Sequence, residues 1–412
     1  MRRAQAVVIG GGQAGLATSR CLGQAGVDHV VLERGRVGER WRSERWDSLR
    51  LLTPNWQSRL PGFRYRGSDP DGYMTMAEVA GFLERYARSF AAPVEQGTSV
   101  LAVEAAGHGY RVTTDRGDWQ APSVVIATGH CDTPFVPGLA RGLSSDVLQL
   151  VPTRYRNPGE LSSGGVLVVG ASASGVQLAD EIHASGRPVT LAVGRHTRLP
   201  RVYRGRDILW WLDAMGVFDE SVEDVFDAAV SREQPSLQLV GRPDRATLDL
   251  PTLEARGVRL VGRASGADGG RVFFEDDLVR HTVAADARLA RLVERIDSFA
   301  ARTGLDAEIG SPEPFQPFFW PAPAPTEIDL RAEGIRTVVW ATGFRRLYPW
   351  LKLPVLDASG EIRHAGGVTE APGLYAIGLY FLRRRKSSFI DGVGQDALEL
   401  AAHLADYVRR AA

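Results

Sequence analysis

Residues 5–15 read Gln5-Ala6-Val7-Val8-Ile9-Gly10-Gly11-Gly12-Gln13-Ala14-Gly15. The apolar run Ala6 to Ile9 is the pattern of a short parallel strand buried on both faces. The glycines behind it fit G-x-G-x-x-G, and a helical pattern from Ala14 to Gln24 runs on from them. Gly10 allows the tight turn, Gly12 lets the backbone approach a pyrophosphate, and Gly15 lets the helix pack closely on the strand. The helix start then turns free amides and a partial positive charge toward the phosphates. His29-Val30-Val31-Leu32-Glu33 reads as the next strand and ends in an acid about 20 residues on, where a ribose-binding carboxylate belongs. The competing explanation is a glycine-rich turn with an incidental surface glutamate; strand, glycines, helix and acid in this order argue against it.

A second loop repeats the first with one telling change. Val166-Leu167-Val168-Val169 leads into Gly170-Ala171-Ser172-Ala173-Ser174-Gly175, with Ser172 in place of the middle glycine. A helical stretch to about Ser185 and the strand Val189 to Val193 follow, but this strand ends in Gly194-Arg195-His196. A carboxylate at that point suits a free 2′-hydroxyl, whereas arginine suits a 2′-phosphate. The first loop is therefore expected to hold FAD or NAD and the second NADPH, through Gly170, Ser172, Ser174, Gly175 and Arg195. His196 and Arg198 are expected as helpers, the alternative being that all three are solvated loop cations. A further echo supports the repeat: Val124-Val125-Ile126-Ala127-Thr128-Gly129 recurs as Val338-Val339-Trp340-Ala341-Thr342-Gly343. Each reads as a buried strand ending in a small-residue turn, suited to a chain crossing between domains.

Composition narrows the class. The 412 residues suggest two domains and perhaps a small third at roughly 150 residues each. Lys plus Arg and Asp plus Glu both number 49, so the net charge is zero, which argues against nucleic acid or an acidic membrane as partner. Zero charge does not oppose self-association, and a homodimer stays open. Hydrophobic residues at 44% exclude wholesale disorder. The first apolar run is too short for a signal peptide and no run suits a membrane span, so the expected location is the cytoplasm. Cys21 and Cys131 form no C-x-x-C, which discards a disulfide reductase with a close cysteine pair, and eight histidines show no metal-ligand spacing, so no metal is expected.

The fold class expected is α/β, with two Rossmann-like dinucleotide-binding domains. The NADPH domain (161–330) is inserted in a discontinuous FAD domain (1–160 and 331–412). Thr75 and Glu78 form a capping box opening a helix to about Phe90. Alternating runs near 98–119 suggest an antiparallel meander. Asp276 to Thr303 is an amphipathic helix with Leu278, Ala285, Leu289, Leu292, Val293, Ile296 and Phe299 on its apolar side. The stretch from Ser311 to Pro325 is too rich in proline for regular structure. The last helix is expected from Val393 to Arg409.

In their order these features resemble the class B flavin-dependent monooxygenases, which include flavin-containing monooxygenases, Baeyer–Villiger enzymes and the plant auxin-forming enzymes. The resemblance covers essentially the whole chain. Val37-Gly38-Glu39-Arg40-Trp41 matches the family's turn ending in tryptophan, with Glu39 at its second glycine; Arg45 to Pro54 is similar to the auxin-forming branch; and Phe389-Ile390-Asp391-Gly392-Val393-Gly394 looks like the segment closing over the flavin. The resemblance implies FAD held by Gly10, Gly12, Gly15, Glu33, Arg34, Trp41, Thr53, Thr128, Gly129 and Asp391. It also implies a flavin face built from Thr53, Pro54 and Asn55, with Asn55 the catalytic candidate because its amide can hydrogen-bond an oxygenated flavin or the nicotinamide ribose. NADPH would reduce the flavin, O2 would add at C4a, and the hydroperoxide would pass one oxygen atom to a small organic substrate. Val151 stands where the family has a histidine in its fingerprint before the second loop, which favours as alternatives an oxidase or reductase without substrate oxygenation, or a redox sensor. The basic run Arg383 to Lys386 precedes the flavin-closing segment, where a cation suits a phosphate. Trp210, Trp211, Phe315, Phe318, Phe319 and Trp320 suggest an apolar substrate wall, with core packing the plainer reading for the tryptophan pair.

Overall fold

The computed structural model describes residues 1–225, 227, 231–232, 234–318 and 323–411. Phe319 and Trp320 lie outside the described residues. Two parallel sheets organise the chain. In the first, Leu374–Ala376, Ser123–Ile126, Ala6–Ile9, His29–Glu33 and Val94–Gln96 run side by side, extended at one edge by His364–Ala365 and Val368–Thr369. Every residue of Ala6–Ile9 is buried, as a parallel strand covered on both faces requires. In the second, the order is Leu148–Leu150, Ile335–Trp340, Gly165–Val169, Val189–Ala192 and Arg259–Val261, all parallel.

Leu148–Leu150 and Ile335–Trp340 both belong to the second sheet, and Ile335–Trp340 pairs with Gly165–Val169 as Ser123–Ile126 pairs with Ala6–Ile9. The two crossing segments, Thr133–Pro134 and Phe344–Arg345, pair antiparallel. The antiparallel meander occupies Val100–Ala106, Gly109–Thr114 and Trp119–Ala121.

The helices follow their local signals. Met76–Ser89 begins at Thr75, whose hydroxyl and backbone exchange hydrogen bonds with Glu78 in a complete capping box. Leu278–Thr303 buries Leu278, Ala285, Leu289 and Ile296 and ends at Gly304, whose φ of +73° is left-handed. The C-terminal helix is Val393–Ala411 and packs on the first-loop helix Gln13–Gln24. None of the described helices is long and apolar enough to cross a membrane.

Close strand–helix packing is built on two glycine pairs. A Cβ on Gly15 would sit 1.9 Å from the Gly10 carbonyl oxygen, and one on Gly175 would sit 1.7 Å from that of Gly170. Gly10 and Gly170 take φ of +113° and +106°, and a Cβ there would strike the carbonyls of Ala127 and Ala341 at 2.6 and 2.4 Å. Gly12 differs, since nothing lies within 4 Å of its Cβ position. Gly15→Ala is therefore expected to destabilise the fold by about 1–3 kcal/mol through overpacking. Gly12→Ala should leave the thermal midpoint essentially unchanged. Equal midpoints for the two variants in a thermal melt would refute this division of roles.

Candidate dinucleotide-binding site

The first loop opens onto a cavity of about 1130 Å³. Gly10, Gly12, Glu33, Arg34, Trp41, Thr128 and Gly129, named from sequence, all line it. Apart from Trp41, on the short helix Glu39–Ser43, each comes from the end of a strand in the first sheet or from the turn that follows. Gly12 caps the helix Gln13–Gln24 without a side-chain hydrogen bond, and the first turn holds no acid, so the helix start is left for an anion. Glu33 is anchored at both oxygens: Gly11 N–H donates to Oε2 at 2.6 Å and Gly35 N–H to Oε1 at 2.8 Å. Its remaining lone pairs suit ribose hydroxyls.

The cations of the cavity divide by partner. Arg34 pairs with Glu44 at 3.1 Å. Arg40 pairs with Asp132 and donates to the Cys131 carbonyl at 2.8 Å. Arg45 forms no ion pair among the described residues; it donates to the Glu44 carbonyl and lies 5.5 Å over the Trp41 ring. Burial pulls its pKa down, partly offset by Cys131 and Glu44. Free helix amides, an anchored acid, an open Gly12 and a cation without a carboxylate together fit an anionic dinucleotide.

His130 and Cys131 follow the Thr128-Gly129 turn into the same cavity. Burial alone would raise the Cys131 thiol, but the His130 imidazole, Arg45 and Arg40 outweigh it and hold it below its usual range. His130 is held above its usual range by the same partnership, against its own burial. Cys21 is the opposite case, in the core and pushed up to about 11 by burial.

Other expected residues go elsewhere. Gly15 packs its helix and does not line the cavity. Thr53 does not line it either. Asn55 is buried at 4% exposure with both amide ends used: Nδ2 donates to the Asp69 carbonyl and Oδ1 accepts from Met74 N–H, each at 2.9 Å. Asn55 thereby ties residues 69–74 to the segment it belongs to, and it does not line the cavity. Asp391 is gripped by Arg59, which donates from Nη2 at 2.7 Å. The run Arg383 to Lys386 is neutralised by Glu399, Asp396, Glu220 and Asp219. Trp211 is core, donating to the Tyr203 carbonyl at 2.9 Å, and Trp210 and Phe315 pack on the same cluster. Val151 lines the cavity.

At the second loop, Ser172 caps Ala173–Ala184 with φ −83° and ψ −170°, against −86° and −172° at Gly12, and again without a side-chain bond. Ser174 and Gly175 form its first turn. Arg195 is exposed and makes no ion pair among the described residues. His196 is not its helper, because it is 1% exposed and burial lowers its pKa. Arg198 is not free either; Asp249 and Asp286 hold it at 2.8 and 2.7 Å. The residue that sequence reading missed is Arg288, on Leu278–Thr303, whose Nη2 donates to the His196 carbonyl at 2.6 Å. Its pKa is lowered by burial and by the neighbouring cations Arg195 and Arg291. No local signal links it to a strand some 90 residues earlier.

The family model for pyridine nucleotide-disulphide oxidoreductases matches residues 7–209. An uncharacterized CzcO-like oxidoreductase of Geobacillus kaustophilus is 33% identical over 395 residues, 95% of each chain. The indole-3-pyruvate monooxygenase YUCCA6 of Arabidopsis thaliana is 29% identical over 337 residues, 74% of this chain and 76% of that one. The chain belongs to the CzcO-like oxidoreductases. By that membership it is an oxidoreductase. The fold matches that of a flavin-containing monooxygenase from Stenotrophomonas maltophilia, with TM-score 0.67, 22% identity and 99% of both chains covered.

Iodoacetamide labelling near neutral pH, read by peptide mass spectrometry, should modify Cys131 about tenfold or more faster than Cys21. Labelling of Cys131 should persist at pH values where an ordinary thiol is protonated, and added FAD should slow it. Equal rates at the two cysteines would contradict the electrostatics described.

Proposed function

We propose that the chain is an NADPH-dependent FAD monooxygenase that transfers one oxygen atom from O2 to a small organic molecule. The observation that carries this reading is the contrast between its two phosphate loops. Their backbones coincide in conformation and in glycine packing. The strand after the first ends in the anchored acid Glu33, and the strand after the second leads to Arg195, a cation without an ion pair among the described residues. The first loop, with Glu33, Arg34, Arg45, Trp41, Thr128 and Gly129, would hold FAD. The second, with Ser172, Ser174, Gly175, Arg195 and Arg288, would hold NADPH. FAD, when bound, supplies the redox chemistry with NADPH and oxygen. The protein's part is to bind, orient and desolvate: helix amides face the phosphates, Glu33 takes the ribose, and Arg195 takes the 2′-phosphate.

A second reading has one observation in its favour. Val151 faces the cavity from the position where the resemblance expects histidine, and a valine donates no hydrogen bond. That favours a reductase or oxidase passing electrons to oxygen or another acceptor. Disulfide exchange through a cysteine pair has no such support, because Cys21 is buried in the core away from the cavity that Cys131 lines.

The test is anaerobic flavin reduction by NADPH and by NADH, followed by oxygen with and without candidate substrates, indole-3-pyruvate among them. Monooxygenation predicts faster reduction by NADPH and, with a true substrate, oxygen consumed without matching peroxide. Stoichiometric peroxide with every compound would favour the oxidase. Arg195→Ala should cost about 10- to 150-fold in kcat/KM for NADPH, the worth of one hydrogen bond to a charged group, and leave NADH unaffected. An unchanged preference would remove Arg195 from the site.

A further inference from the structure

Arg201 is fully buried, which is costly for a guanidinium. Its Nη1 donates to the Leu52 carbonyl at 2.7 Å, and its Nε donates to Asp207 Oδ2 at 2.9 Å. The guanidinium lies 4.5 Å over the Tyr73 ring, and Tyr73 Oη donates to the same Asp207 oxygen at 2.8 Å. The other oxygen of Asp207 accepts from Leu209 N–H at the start of Ile208–Ala214. Arg201 and Asp207 belong to the chain that follows Val189–Ala192 of the second sheet, and Leu52 and Tyr73 lie between His29–Glu33 and Val94–Gln96 of the first. The contact continues at Gly241, where a Cβ would sit 2.1 Å from the Leu51 carbonyl oxygen.

Such a cluster is a poor way to gain stability, since apolar residues of the same volume commonly do as well or better. What it does supply is direction. The fork of Arg201 has one prong on a carboxylate of its own unit and one on a backbone carbonyl of the other, so it tolerates one relative placement of the two. We propose that Arg201 is a positioning residue for electron transfer between the two cofactors. It holds the segment Leu51–Asn55 of the first unit in register with the unit carrying the second phosphate loop, and so fixes how the two loops face each other. This rests on the reading that FAD binds at the first loop and NADPH at the second.

The test uses Arg201→Met in the FAD-loaded protein. The limiting rate of anaerobic flavin reduction by NADPH should fall about tenfold or more, because small misplacements of reacting groups carry large rate penalties. The Kd for NADPH should stay within about twofold, since the second phosphate loop is untouched. Amide exchange over Leu51–Asn55 should quicken, and Arg201→Lys should recover part of both effects. A loaded Arg201→Met protein with wild-type limiting rate and wild-type exchange overturns the proposal, as does a loss confined to NADPH affinity. Should Arg201→Met fail to fold, Tyr73→Phe removes only the hydroxyl that steadies Asp207. It should lower the same limiting rate severalfold at unchanged Kd, and no change would overturn the proposal. If the wild-type protein accepts electrons from neither nicotinamide, the cofactor reading fails. Amide exchange at Leu51–Asn55 still decides the part of Arg201: unchanged exchange in the methionine variant overturns it.

Discussion

A helix can aim its amides into a cavity only if its first turn lies hard against the strand that precedes it. Here that approach is a backbone-to-backbone contact. Gly15 rides on the Gly10 carbonyl and Gly175 on that of Gly170, with no room for a methyl group in either place. The neighbouring strands press from the other side through the carbonyls of Ala127 and Ala341. Glu33 can reach Gly11, and Gly12 and Thr128 can line one cavity, only because these contacts fix where each strand ends. The two loops are thus one mechanical solution used twice, with chemistry varied at the tip of the next strand.

That logic explains what the sequence revealed and what it hid. Glycine spacing, apolar runs and the Thr75–Glu78 box act over a few residues, so both loops, the main helices and the lining residues Gly10, Gly12 and Glu33 were legible, while Arg34, Trp41, Thr128 and Gly129 came from the family resemblance. Side-chain partners arise from distant segments and were not. Asn55 looked available until the backbone of 69–74 closed on it. His196 and Arg198 looked like helpers of Arg195, yet one turns into the core and the other meets Asp249 and Asp286. Arg288 was invisible because its place beside residue 196 is made by tertiary packing. Strand order within each sheet is hidden for a similar reason: it is not written in strand sequence.

Arginine use gives a second way to read the molecule. The basic run at 383–386, the most conspicuous charge feature of the sequence, is the least informative, because acids from two other segments neutralise it. Arg45 and Arg288 attract no notice in sequence, whereas Arg195 does, and among the described residues none of the three forms an ion pair. In a protein whose charges balance at 49 against 49, cations left without acids mark where an anion from outside is to be met.

The antiparallel pairing of Thr133–Pro134 with Phe344–Arg345 bears on how such a chain assembles. Val124 must pair with Leu374, although the whole second sheet lies between them in sequence. Were that interval a random coil, joining the two strands would carry the loop-closure entropy and the delay of a very long-range contact. An interval that collapses around its own core, and whose ends emerge side by side, behaves as a short tether instead. Pairing of the two ends of the interval thus shortens the loop that the contact between Val124 and Leu374 has to close, and Leu374–Ala376 meets a sheet begun at residue 6.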